Sequence, residues 1–129
     1  MLTFQKKERL CNRTVIDHLF SDGKKIHITP FVVLWEQPEE PMDTPLKLLI
    51  TVSKRNFPLA VRRNAIKRLI REAFRLNKQH FVTFLESTHR QCNFCIIYTG
   101  SGNDSLKQME SKILLILQRL QSAYEKTAG

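Results

Sequence analysis

Four groupings of residues in this 129-residue chain have types and spacings that could carry chemistry. Cys92-x-x-Cys95 has the spacing of half a zinc or dithiol site. His18, His27, His80 and His89 could ligate a metal or move protons. Glu36, Glu39, Glu40 and Asp43 could act as paired carboxylates. Residues 54–78 gather Lys54, Arg55, Arg62, Arg63, Lys67, Arg68, Arg71, Arg75 and Lys78 against Glu72 alone, enough positive charge to hold a polyanion. The first three groupings weaken on inspection. A structural zinc site needs four ligands, no second cysteine pair is present, and positions three apart on a strand point to opposite faces. With three cysteines in all, free core thiols are expected and no disulfide framework. The histidines show no HExxH spacing, and neither GxxxxGK[ST] nor GxGxxG occurs. The carboxylates lie in a stretch broken by Pro38, Pro41 and Pro45, a poor platform for general acid–base work. We expect no catalytic residues in the polypeptide and no metal ligands.

The basic segment stands out from the rest of the chain. The formal net charge is +9 and the isoelectric point about 9.8, but residues 31–53 are net acidic, with four acids against Lys47. Charge partitioned in this way marks a site for nucleic acid or an anionic surface. No run approaches the ~18 apolar residues of a membrane span. The first nine residues lack the apolar core of a signal peptide. A cytoplasmic protein with no membrane partner is expected.

The elements that must position this charge follow from pattern. The length suits one domain, 1–129. Residues 14–20 predict a short helix stopped by Ser21-Asp22-Gly23, with a further short strand possible near 26–29. Residues 31–35 and 46–52 predict strands either side of the acidic loop. Residues 54–59 form a connector to a long helix over 60–77, followed by a second piece over 79–87. A strand over 92–99 and a final amphipathic helix, capped by Asn103 or Asp104, complete the chain. The order α-β-β-β-α-β-α describes an α+β two-layer sandwich with helices against one sheet.

At about 100° per residue, Lys67, Lys78, Arg71, Asn64, Arg75 and Arg68 fall on one stripe of the 60–77 helix, with Arg63 at its flank. Val61, Ala65, Ile66, Leu69, Ile70, Ala73, Phe74 and Leu76 fill most of the remaining arc, and Arg62, on that apolar side, must swing clear. Lys67/Arg71 and Arg71/Arg75 are like-charge pairs one turn apart, which destabilise an isolated helix. Arg62 and Arg63 in the first turn oppose the helix dipole. An external polyanion accounts for a stripe that interleaved glutamates would otherwise relieve. Arginine forks suit phosphate and base faces, and Asn64 can bond a base edge or a 2′-hydroxyl.

Lys54-Arg55 followed by Ala60-Val61-Arg62-Arg63-Asn64-Ala65-Ile66-Lys67-Arg68-Leu69-Ile70-Arg71-Glu72-Ala73-Phe74-Arg75 resembles the signature of the bacterial ribonuclease P protein subunit, Ala-Val-x-Arg-Asn-x-x-Lys-Arg-x-x-Arg-Glu. Glu8-Arg9-Leu10, Leu19-Phe20, Gly23, Phe31 and the final helix extend the resemblance over nearly the whole chain. It implies a left-handed βαβ crossover, against the general right-handed expectation. It also implies the protein part of an RNA-based endoribonuclease that removes the 5′ leader of precursor tRNA. Its partners would be ribonuclease P RNA and precursor tRNA, with no obligate protein partner, and Mg²⁺ would be held mainly by the RNA.

The RNA-binding positions so implied are Lys54, Arg55, Arg63, Asn64, Lys67, Arg68, Arg71 and Arg75. A leader cleft between the sheet and the first helix would involve Arg9, Phe20 and Trp35. The cleft's aromatic positions fall on Ile16, Phe20 and either Leu34 or Trp35, according to where a one-residue gap is placed. Ala65 stands where the family motif has a second arginine, and its place on the wheel's apolar side predicts little loss of RNA contact. The connector Asn56-Phe57-Pro58-Leu59 lacks the glycine often found there. The alternatives are a non-catalytic RNA-binding module of ribosomal-protein type and a DNA-binding regulator with the 60–77 helix in the major groove. The regulator lacks a visible helix-turn-helix spacing or dimer surface.

Overall fold

The structure is a computed structural model, and it describes residues 6–126. Residues 1–5, on which part of the signal-peptide expectation rests, lie outside the described residues. A 3-10 turn, Lys6–Glu8, leads into α1 (Arg13–Asp22), β1 (Lys24–Ile28), β2 (Phe31–Glu36) and β3 (Leu46–Val52). Then come α2 (Ala60–Asn77), α3 (Gln79–Ser87), β4 (Cys92–Tyr98) and α4 (Leu106–Lys126). The four strands form one sheet in the order β1-β2-β4-β3. β1–β2 and β2–β4 pair antiparallel, and β3–β4 pair parallel through the α2–α3 crossover. The short strand near 26–29 is therefore a full hairpin partner of β2, beginning at Lys24.

Alternation along the strands sorts side chains to two faces. Phe31, Val33 and Trp35 of β2 join Leu46, Leu48, Phe94, Ile96 and Tyr98 in the main core. That core is closed by Ile66, Ile70, Ala73 and Phe74 of α2, Phe81 and Leu85 of α3, and Met109, Ile113, Ile116 and Leu120 of α4. Truncating a fully buried side chain such as Phe74 to Ala removes about 3–5 kcal/mol. The opposite face is not bare. Leu10 and Leu19 pack there on Leu34 and Cys95, with Val15 and Ile16 beside them. Three helices thus cover one face, and α1 lies alone across part of the other.

Local chemistry sets the element ends. The Asn12 side chain accepts from the Val15 amide at 3.2 Å and starts α1. At Gly23 a Cβ would stand 2.3 Å from the Leu19 carbonyl oxygen, so only glycine permits the immediate turn into β1. The start of α4 corrects the sequence expectation. Ser105 is the cap, its Oγ accepting from the Gln108 amide at 3.2 Å while Gln108 Oε1 accepts from the Ser105 amide at 2.8 Å, a reciprocal capping box. Asp104 instead accepts the Tyr98 hydroxyl, and burial with that bond pushes the phenol up to about 12. Cys92 and Cys95 lie on opposite faces of β4, and burial raises their thiols to about 12 and about 11. Both are protonated packing groups.

Candidate nucleic-acid interface

The basic region is built outward from the end of β3. Ser53 Oγ accepts from the Arg55 amide at 3.1 Å and the Asn56 amide at 3.4 Å, folding a turn that holds Lys54 and Arg55 out in solvent. Phe57 plugs the connector into the core against Tyr98, ring centroids 6.0 Å apart. α2 then begins at Leu59 with no side-chain cap and no acid in its first turn, leaving the positive end of the helix dipole uncompensated.

Arg62 and Arg63 steady this junction. Arg63 Nη1 donates to the carbonyls of Phe57 at 2.8 Å and Pro58 at 3.0 Å. Arg62 swings clear of the core, as its wheel position required. It lies over the Phe57 ring at 6.0 Å and donates to the Gly102 carbonyl at 3.4 Å. Gly102 has φ +92°, and a Cβ there would press on Arg62 and Phe57. Arg63, assigned from sequence to RNA, therefore also shapes the loop that carries Lys54 and Arg55.

Along the helix the structure divides the predicted stripe. Asn64 and Arg68 are exposed, and Lys67 and Arg71 half-exposed. Lys54, Arg55, Lys67, Arg68 and Arg71 have no acidic partner among the described residues. Arg75 differs, since its Nε donates to Glu72 at 3.1 Å and its Nη2 bonds the other carboxylate oxygen. That hydrogen bond holds the Glu72 carboxyl below its ordinary range and raises the Arg75 guanidinium. Lys78 leaves the stripe altogether. Its Nζ is buried and donates to both Glu8 oxygens at 2.7 and 2.8 Å, tying the N-terminal turn to the α2–α3 junction. Nothing in the local sequence signals that pair, which joins residues 70 apart.

The apolar arc is narrower than the wheel predicts. Val61 and Leu76 are exposed, and Ala65 is exposed as well, correcting its expected place on the buried side. Ala65 therefore lies at the surface of α2, and an arginine at this position would have been exposed too.

The leader-cleft residues separate. Trp35 faces the helical layer, 3% exposed and 5.2 Å from the Tyr124 ring, so it cannot line a cleft on the α1 side. Leu34 does face that side but is buried under α1. Arg9 pairs beside Leu48 along the outer edge of β3. The next residue, Leu10, enters the α1-side cluster, so alternation turns exposed Arg9 toward the α2 side. Phe20, on α1, is 48% exposed. It and half-buried Ile16 occupy the flank of α1 opposite His18. The uncovered part of the sheet, with half-buried Val32, Ile97 and Thr51 in one cross-strand row, leads toward Lys54 and Arg55 at the end of β3.

On the other flank, His18 Nδ1 meets Glu36 Oε2 at 2.6 Å, and its Nε2 lies 3.5 Å from Asp22. The Glu36 bond raises the His18 pKa above 6.5.

Comparison with known proteins adds the following. The family model described as Ribonuclease P matches residues 4–121. The chain is 41% identical over 73 residues to the Ribonuclease P protein component of Porphyromonas gingivalis, covering 57% of this chain and 53% of that protein. It is 43% identical over 79 residues to that of Geotalea uraniireducens, covering 61% and 66%. These alignments span about half to two thirds of the relatives' length. The solved RNase P protein of Thermotoga maritima superposes with TM-score 0.67 at 29% identity, covering 87% of this chain and 96% of that one.

Proposed function

Because the chain belongs to the ribonuclease P protein family, we propose that it is the protein subunit of an RNA-based endoribonuclease that removes the 5′ leader from precursor tRNA. The observation that carries this reading is the set Lys54, Arg55, Lys67, Arg68 and Arg71. These cations lie just before and along α2, whose N-terminus is uncompensated, and they have no acidic partner among the described residues. A phosphate backbone supplies the missing charge, and arginine forks orient on it. Exposed Asn64, on the same helix, adds a donor and an acceptor for a base edge or 2′-hydroxyl.

The polypeptide's share of the work is binding and orientation. α2 and the 53–57 turn would grip ribonuclease P RNA. The single-stranded leader would run over the Val32–Ile97–Thr51 row, with Phe20 offering a face for one base, worth ~1–3 kcal/mol by stacking. Exposed Lys25 and His27 stand on the same side of β1. Arg9 belongs in this reading with the α2 surface and not with the leader. Among the described residues no three His, Cys, Asp or Glu side chains group as a metal site. This reading leaves Mg²⁺ with the RNA. No helix of the described residues is long and apolar enough to cross a membrane, and the proposed work places the protein in the cytoplasm. The ribosomal-type and DNA-regulator alternatives have no comparable support from relatives.

Reconstitution tests the proposal. Adding the chain to its cognate ribonuclease P RNA should restore precursor-tRNA cleavage at low Mg²⁺. Failure to stimulate across a protein and Mg²⁺ titration would sink it.

A further inference from the structure

We propose that the outer flank of α4, carrying Lys112, Arg119 and Lys126 with Lys24 of β1 beside them, is a second contact surface for the partner RNA and holds the sugar–phosphate backbone of a double-helical segment. The inference rests on the RNA-binding function proposed above and adds a surface to it. α2 packs over β3 and α4 over β1, and these are the two outer strands of the sheet. The outer flank of α4 therefore lies at the edge of the molecule opposite α2. The inner flank is fixed by Glu110, which accepts from the Asn77 amide at 3.3 Å, and by the cavity that Leu114, Gln118 and Glu125 line together with Asn77 and His80. At about 100° per residue from Leu106, these α4 residues fall between about 40° and about 120°. The core side chains Met109, Ile113, Ile116, Leu120 and Tyr124 run from about 280° to about 0°. Lys126, Arg119 and Lys112 fall between about 200° and about 240°, exposed on the flank over β1.

Charge is sorted around this helix. Its acids, Glu110 and Glu125, both lie on the flank toward α2 and α3, and Lys107 lies there with them, one turn from Glu110. The neighbours one turn from the outer cations, Gln108, Met109, Leu115, Ile116, Ser122 and Ala123, include no acid. Lys24, Lys112, Arg119 and Lys126 form no ion pair among the described residues. A merely solvated helix face alternates the two signs at this spacing. Lys24 carries the surface onto β1. Its Nζ sits 4.9 Å from the centre of the Trp35 ring, which packs at 5.2 Å on Tyr124 in the last turn of α4. The geometry of the row selects the partner. Its three helical cations recur every seven residues, about 10.5 Å apart and about 21 Å end to end. Leu115, 37% exposed, stands among them, and no aromatic ring is exposed there among the described residues to stack an unpaired base. The apolar side of α4 is buried in the core, which leaves none to enter a lipid surface. Cations along a straight rod instead meet the phosphates bordering the shallow groove of an RNA duplex, without reading its sequence.

The test measures the full chain against its cognate ribonuclease P RNA over a series of salt concentrations, without precursor tRNA. Lys112→Gln and Arg119→Gln are exposed changes with little effect on folding. Each should weaken binding about two- to fivefold and make the log–log salt slope shallower by up to ~0.7–0.9. Lys107→Gln removes the same charge from the other flank of the same helix and should leave the slope unchanged. Hydroxyl-radical footprinting should show a duplex tract of the RNA that loses protection in the Lys112→Gln/Arg119→Gln double variant, while the tract lost in Arg68→Ala stays protected. Equal changes in slope for Lys107→Gln and Arg119→Gln would mean diffuse attraction to a basic protein and would overturn the proposed surface. Wild-type affinity in the double variant, with binding still weakened by Arg68→Ala, would overturn it and leave the RNA-binding reading standing. Variants that bind the RNA normally but raise the KM for precursor tRNA would give this flank to the substrate, against the assignment made here. A wild-type chain that does not bind the RNA would sink the function proposed above, and this surface with it.

Discussion

At the C-terminal end of α2, Arg75 lies in the Glu72 carboxylate and Lys78 in that of Glu8. One to two turns earlier, Lys67, Arg68 and Arg71 form no ion pair among the described residues. The two ends carry the same residue types on the same wheel stripe, yet they differ in what surrounds them. The C-terminal cations fasten α2 to itself and to the N-terminal turn. The earlier cations, with Lys54 and Arg55 held beside them by Ser53 and Phe57, have no acidic partner among the described residues. A stripe of charge in a sequence therefore mixes groups that hold the fold with groups that meet a partner, and only their neighbours tell them apart.

The largest effect should come from the buried pair. Glu8→Ala removes the carboxylate that the buried Lys78 ammonium bonds and should lower unfolding stability by about 3–5 kcal/mol in denaturant titrations. Under conditions where the variant stays folded, the salt dependence of RNA binding should keep the wild-type slope. The reverse pattern is expected at the other end. Arg68→Ala and Arg71→Ala should change stability by no more than about 0.5 kcal/mol. Each should make the log–log salt slope of RNA binding shallower by up to ~0.7–0.9. A folded Arg71→Ala protein with an unaltered slope would remove Arg71 from the interface.

Arg63 stands between the two classes. Arg63→Ala should lose about 1 kcal/mol of stability with its carbonyl contacts. It should also weaken RNA binding, partly by loosening the turn that carries Lys54 and Arg55. Hydrogen exchange at Arg55 and Asn56 would report that loosening.

The smallest effect lies across the sheet, where the acid Glu36 does have an internal partner. The His18 pKa is raised by its bond to Glu36 and by the charges of Asp22 and Glu39. Its stabilising contribution is therefore fully present below pH about 6.5 and lost as pH rises through the elevated folded-state value. The difference in melting temperature between the wild type and His18→Gln should be small and confined to the acidic side. A difference that grew toward alkaline pH would contradict that pairing.

Much of this protein was decided by local pattern. The ends of β3 and α2, the concentration of cations in residues 54–78, and the α+β order all follow from periodicity, proline and glycine placement, and charge counts, which depend on near neighbours in the chain. The motif around Arg63-Asn64 carried the family resemblance in the same way. The tertiary structure decided the rest, because those properties depend on residues far apart in sequence. The pairing of Glu8 with Lys78, the turning of Trp35 into the helical layer while Leu34 faces α1, and the exposure of Ala65 on a nominally apolar arc all required the register of β2 and the approach of distant elements. A wheel ranks directions around one helix, but it does not know how wide a face the neighbouring helix and sheet will cover. Among the described residues, that packing leaves Lys67, Arg68 and Arg71 without acidic partners and takes Lys78 out of the stripe.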